Sequence, residues 1–164
     1  MAHELKQRNM TSLYLHYSGK YLLLKRQGSW VVNDVWIGSA GGHMENDELN
    51  DARACVLREL NEELGLEANH VNNLNLRYIT LRHTQNEIRV NYYFFADLLN
   101  GNVELCSDEG ELKWVSEDQL KELPMPFTAE KVIKHYLSTG RYSDEIYGGI
   151  VGNMEVNFVP MPVF

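Results

Sequence analysis

Glu59, Glu62 and Glu63 stand at i, i+3 and i+4, a spacing that puts three carboxylates on one face of a helix. Leu57, Leu60 and Leu64 fall on the opposite face, which can pack on a core while the acids point outward. Like charges so placed repel by roughly 0.2–0.5 kcal/mol per pair. A cation is therefore expected between them. No Cys or His ligand set accompanies the acids, and clustered carboxylates suit a hard, oxygen-loving ion, Mg2+ or Mn2+. Such ions leave several coordination positions to water and to substrate phosphates. The competing reading of these acids is a solvated, Glu-rich helix face.

A Gly41-Gly42 pair lies upstream of this run, at the end of Gly38-Ser39-Ala40-Gly41-Gly42, where the backbone is free to turn sharply and to approach a ligand closely. His43 follows directly, close enough in sequence to contact a substrate. Gly42, Glu48 and then Arg58-Glu59-Leu60-x-Glu62-Glu63-x-Gly65-Leu66 together resemble the Nudix box, the signature of the Nudix hydrolases. That pattern is Gly, five residues, Glu, seven residues, then Arg-Glu-aliphatic-x-Glu-Glu-x-Gly-aliphatic. The second half matches at every position. In the first half Gly42 and Glu48 keep their five-residue gap, but nine residues separate Glu48 from Arg58. Counting back from Arg58 puts Asn50 where the family has its first Glu, which leaves the loop role of Glu48 open.

The resemblance implies an α/β fold, a mixed β-sheet sandwiched between α-helices (α/β/α). It also implies hydrolysis of nucleoside diphosphates linked to another moiety, with a divalent metal and water. Carried over by position, Arg58, Glu59, Glu62 and Glu63 form the catalytic set. Glu59, Glu62 and Glu63 hold Mg2+ (or Mn2+), the Gly42 carbonyl is a further ligand, and Gly41, Gly42 and His43 face the substrate. Arg58 either grips a carboxylate in a bidentate fork or makes a plain i, i+4 pair with Glu62. Such enzymes often draw another acid from a distant loop. Here Asp108-Glu109-Gly110-Glu111 makes Glu109 the preferred extra metal ligand and Glu111 the alternative. The general base stays unassigned.

The Gly-Gly followed by His43-Met44-Glu45 is similar to MutT-like members, so a nucleoside triphosphate, oxidised (8-oxo-dGTP-like) or not, is the leading substrate. ADP-ribose, a dinucleoside polyphosphate, and a non-catalytic nucleotide-sensing domain are the alternatives. Trp30, Trp36, Tyr17 and Tyr93 are candidates for base stacking, although aromatics in strand patterns more often belong to the core. Lys25, Arg26, Arg82 and Arg89 are candidates for phosphate contact, against the usual role of isolated basic residues as surface solubilisers. His83 and His135 carry no metal-ligand spacing.

The chain of 164 residues, 44% apolar and 23% charged, suits a single domain over 1–164, with 141–164 as a C-terminal extension. Its net charge of −8 argues against a nucleic-acid polymer as partner. With an anionic substrate, the same charge calls for a bridging metal. No apolar stretch approaches a bilayer's thickness, the N-terminal residues lack a secretory pattern, and Cys55 and Cys106 are too few for a disulfide framework. No membrane partner and a cytoplasmic location are the expectations, with Cys55 a small buried apolar residue.

The elements that must position these groups follow from pattern. Met10–Tyr17 and Tyr21–Lys25 read as a hairpin around Ser18-Gly19-Lys20, and Trp30–Ile37 as a strand broken at Asn33-Asp34. Asn50 or Asp51 caps a helix that runs to Leu64 and stops at Gly65. Leu74–Leu81 and Ile88–Leu98 form a long hairpin about Gln85-Asn86. A strand at Leu112–Val115 and a helix at Glu117–Leu123 come next. A second long helix, Thr128–Leu137, begins after Pro126 and is closed by Gly140. The tail from Gly148 to Phe164 supplies an edge strand. Family members often dimerise, and this apolar tail offers either a homodimer contact or a cover over the core.

Overall fold

In the computed structural model, which describes residues 4–27 and 34–164, strands β1 (Lys6–Tyr17) and β2 (Lys20–Arg26) form the expected hairpin. Its turn residues Ser18 and Gly19 both adopt positive φ, 48° and 76°, matching the primed turn whose twist suits a two-residue connection. β3 is only Trp36–Gly38; Trp30 and the rest of that expected strand up to Asn33 lie outside the described residues. Helix α1 spans Ala52–Leu64. The long hairpin is β4 (Val71–His83) and β5 (Glu87–Leu98), followed by β6 (Gly110–Ser116), α2 (Glu117–Glu122) and α3 (Phe127–Ser138).

Two further strands come from the tail, β7 (Tyr147–Val151) and β8 (Val156–Pro160). The single edge strand expected there is thus a hairpin, and it extends the central sheet. Gly140 does not close α3 as a left-handed cap: Thr139 caps the helix, and Gly140 opens a short 3-10 turn. What the position requires is a missing side chain, because a Cβ on Gly140 would lie 2.1 Å from the Tyr78 hydroxyl.

The eight strands of the described residues join one mixed sheet, ordered β3-β2-β1-β5-β4-β7-β8, with β6 also paired to β2. β1 runs parallel to β5 and β4 parallel to β7, while the hairpin pairs are antiparallel. Alternate residues of the central strands point to opposite faces, and both faces are buried. Leu13 and Leu15 of β1 and Phe94, Ala96 and Leu98 of β5 pack with Val56, Leu60 and Leu64 of α1. Tyr14, Tyr93 and Phe95 pack on the other face with Leu120 of α2 and Val132, Ile133 and Leu137 of α3. The result is the expected α/β/α sandwich.

Candidate active site

The acidic helix α1 is held in place at both ends. Asp51, not Asn50, is its cap: the carboxylate accepts a hydrogen bond from Ala54 N at 2.9 Å. At the other end Gly65 takes φ 66° and donates its amide to the Asn61 and Leu60 carbonyls, an exit that favours glycine. Leu60 and Leu64 are buried beneath, so the opposite face must point outward and carry its acids with it.

Arg58 organises that face. Its Nε and Nη2 donate to the two carboxylate oxygens of Glu48 at 2.7 and 3.0 Å, a bidentate fork. Nη2 also reaches the His43 carbonyl at 3.1 Å, and Nη1 is shared between Glu59 at 2.9 Å and Glu62 at 3.0 Å. Both readings of Arg58 therefore hold at once. Despite the two extra residues, the Glu48 side chain returns to Arg58: it is buried, and the Arg58 hydrogen bonds hold its carboxyl down at about 2. A 3-10 turn at Asn46–Glu48 and the Leu49-Asn50 turn absorb the extra length, while Asn50 stays exposed.

The Gly-Gly loop lies against the acids. Gly41 adopts φ 149°, and a Cβ there would lie 2.2 Å from the Thr11 carbonyl. A Cβ on Gly42 would meet Glu59 Oε1 at 2.4 Å, so this glycine makes the space that the carboxylate occupies. Gly41 N donates to Glu63 Oε2 at 3.0 Å. The Gly42 carbonyl accepts from Thr11 N at 2.9 Å, which commits one of its lone pairs to β1.

Burial, above all, raises the Glu63 carboxyl to about 7, with Glu109 and Glu59 adding repulsion against the Gly41 hydrogen bond. Burial also raises Glu59, opposed by Arg58, with Glu62 and Glu109 pushing the same way as burial. Glu109, the preferred distant acid, thus comes within electrostatic reach of Glu59 and Glu63; Arg26 pairs with it at 2.9 Å. The alternative, Glu111, is exposed and sits in register with Lys25. Among the described residues no three His, Cys, Asp or Glu side chains converge into a ready-made ligand cage. The donors still fit a hard ion: all are oxygens, and their charges repel one another.

Beside this cluster opens a cleft of about 390 Å3, lined by Gly41, Gly42, His43 and Glu63 together with Tyr93 and Asn91. Arg26, Arg82 and Arg89, three of the four candidates for phosphate contact, line it as well, together with Arg8, a residue the sequence did not single out; the fourth, Lys25, pairs with Asp34 at 3.7 Å. His43 accepts from Arg8, and burial followed by the nearby Arg8 and Arg26 charges lowers its pKa. Tyr93 and Trp36 both belong to the core, but Tyr93 also lines the cleft, and Tyr17 packs edge-on against Trp114. Cys55 is buried against the Thr11 hydroxyl, and burial pushes its thiol up to about 11, too high for a nucleophile.

Solved structures of other proteins share this fold. The MutT protein of Bacillus halodurans superposes with a TM-score of 0.66 at 25% identity, over 93% of this chain and 97% of that one. A NUDIX hydrolase from Nitrosomonas europaea gives a TM-score of 0.69 at 18% identity, over 91% of this chain and 81% of that one. The Ap4A hydrolase of C. elegans shares the fold, with a TM-score of 0.60 at 14% identity, over 82% of this chain and 98% of that one. Among curated proteins none matches. The family model described as NUDIX domain matches residues 7–136, from the start of β1 through the acidic helix to α3, and on that match the chain belongs to the Nudix family, whose hydrolases split nucleoside diphosphates linked to another moiety.

Proposed function

We propose that this protein is a Mg2+-dependent nucleotide pyrophosphohydrolase acting on a nucleoside triphosphate, oxidised or not. The observation that carries the reading is the stacking of Glu59 and Glu63 against the Gly-Gly turn. There both carboxyls are raised above their ordinary values, and Glu63 opens onto the cleft. Glu59, Glu62, Glu63 and Glu109 are the residues that would hold the ion. When bound, Mg2+ neutralises phosphate oxygens and acidifies an attacking water.

The chain's own residues supply the rest. Arg58 limits the repulsion between Glu59 and Glu62 and ties the helix to the loop through Glu48 and the His43 carbonyl. Gly41 N orients Glu63, and a carboxylate of this cluster accepts the proton that water loses. The buried wall of the cleft, with Tyr93 and Asn91, receives the nucleoside.

The test is turnover of a nucleotide panel with Mg2+, scored by released products. Turnover that depends on the ion and falls at least ~100-fold in Glu62→Gln or Glu63→Gln is the expected result. Nucleotide binding without turnover would instead make the domain a sensor.

A further inference from the structure

Arg8 on β1 is directly opposite Arg89 on β5, and Arg89 is directly opposite Arg82 on β4. Three arginines therefore stand abreast on neighbouring strands, on the face that lines the cleft. With about 4.8 Å between strands, the row spans roughly 10 Å. Like charges directly opposite one another destabilise a sheet. One carboxylate serves the row: Glu87 accepts from Arg8 at 3.4 Å and from Arg89. Arg82 has no ion pair among the described residues. A chain with net charge −8 thus concentrates surplus positive charge at one rim of its cleft.

The next row inward on the same face is uncharged, with Asn91 between Met10 and Thr80. Beyond it lies Tyr93. The face grades from guanidinium through amide and hydroxyl to aromatic, while Glu63 and Gly41 belong to the acidic helix and glycine loop. Guanidinium groups suit phosphate through paired, charge-assisted hydrogen bonds. A row of this length suits several phosphates better than one.

From this register we infer that Arg8, Arg89 and Arg82 form a polyphosphate-binding row, so that the protein selects nucleotides with an extended phosphate chain over nucleoside diphosphates joined to a neutral sugar. The inference rests on the proposed function for its choice of site, but the row's affinity for phosphate is testable apart from catalysis. Inorganic tripolyphosphate, titrated calorimetrically into the metal-free protein in chelator, should bind at least tenfold more tightly to wild type than to Arg82→Ala/Arg89→Ala. Added salt should weaken the wild-type binding. Removing mutually repelling charges should leave the variant melting at or above the wild-type temperature, and Arg82→Lys/Arg89→Lys should recover part of the affinity.

In turnover, kcat/KM for a nucleoside triphosphate should fall at least tenfold further than that for a nucleoside diphosphate glucose. Equal tripolyphosphate affinities would overturn the row. A variant that melts well below wild type would also overturn it, because the arginines would then be structural. If wild type binds tripolyphosphate through the row yet hydrolyses no nucleotide with Mg2+ or Mn2+, the proposed function fails and the row stands.

Discussion

Glu63 and Glu48 show how one acid-rich segment sets two carboxyls at opposite ends of their range. Glu48 accepts both arms of Arg58 and is held at about 2. Glu63 is raised to about 7 by burial and by neighbouring acids. For Glu63 the folded protein binds the proton more tightly than the unfolded chain, so its contribution to metal-free stability is largest at acid pH and is lost as pH rises through 7. Cation binding needs the carboxylate, so stabilisation by an ion runs the other way: full above pH 7, reduced below it. The increase in Tm produced by a fixed Mn2+ concentration should therefore be larger at pH 8 than at pH 6. The difference should flatten in Glu63→Gln, and an equal increase at both pH values in wild type would show that Glu63 yields no proton to the ion.

At the scale of elements, α1 depends on a cap that its sequence offers twice. Asp51 and Asn50 are both good cap residues, and the tertiary path of the preceding turn decides between them. Asp51→Ala should cost about 1 kcal/mol in denaturant unfolding, and Asn50→Ala close to nothing. Equal losses would mean that the helix starts one residue earlier. The same turn decides the fate of Glu48, because its 3-10 conformation returns that side chain to Arg58. Strand β4 is tied to the end of α3 differently: the Arg77 guanidinium donates to the Gly140 and Ser143 carbonyls.

The whole molecule is larger than the segment that carries the family pattern. The match ends at residue 136, yet β7 and β8 add two strands to the sheet beside β4. Phe158 of β8 packs edge-on against Tyr78, at 5.2 Å between ring centroids, and against His135 of α3 at 4.8 Å. Tyr78, fully buried, also stacks on Tyr147 and shares a hydrogen bond with His135. The tail thus completes the face of the core covered by α3. Phe158→Ala should destabilise the protein by about 2–3 kcal/mol, somewhat below a fully buried Phe because Phe158 is only partly buried. Denaturant unfolding would show it, and a loss under 1 kcal/mol would mark the β7–β8 hairpin as an appendage. No helix among the described residues is long and apolar enough to cross a membrane.

What the sequence determined by itself is what short-range periodicity encodes: the acidic face of α1, its Gly65 exit, the hairpins, and the glycine turn itself. Each depends on residues within a few positions of one another, where helical or strand geometry fixes who is neighbour to whom. Only the tertiary structure decided what comes together across long separations. It brought Glu109 toward Glu59 and Glu63, returned Glu48 to Arg58, built the tail into the sheet, and placed Arg8, Arg89 and Arg82 abreast. Register between strands far apart in the chain is set by the packing of both sheet faces at once, and a shift of one residue would send an arginine to the opposite face.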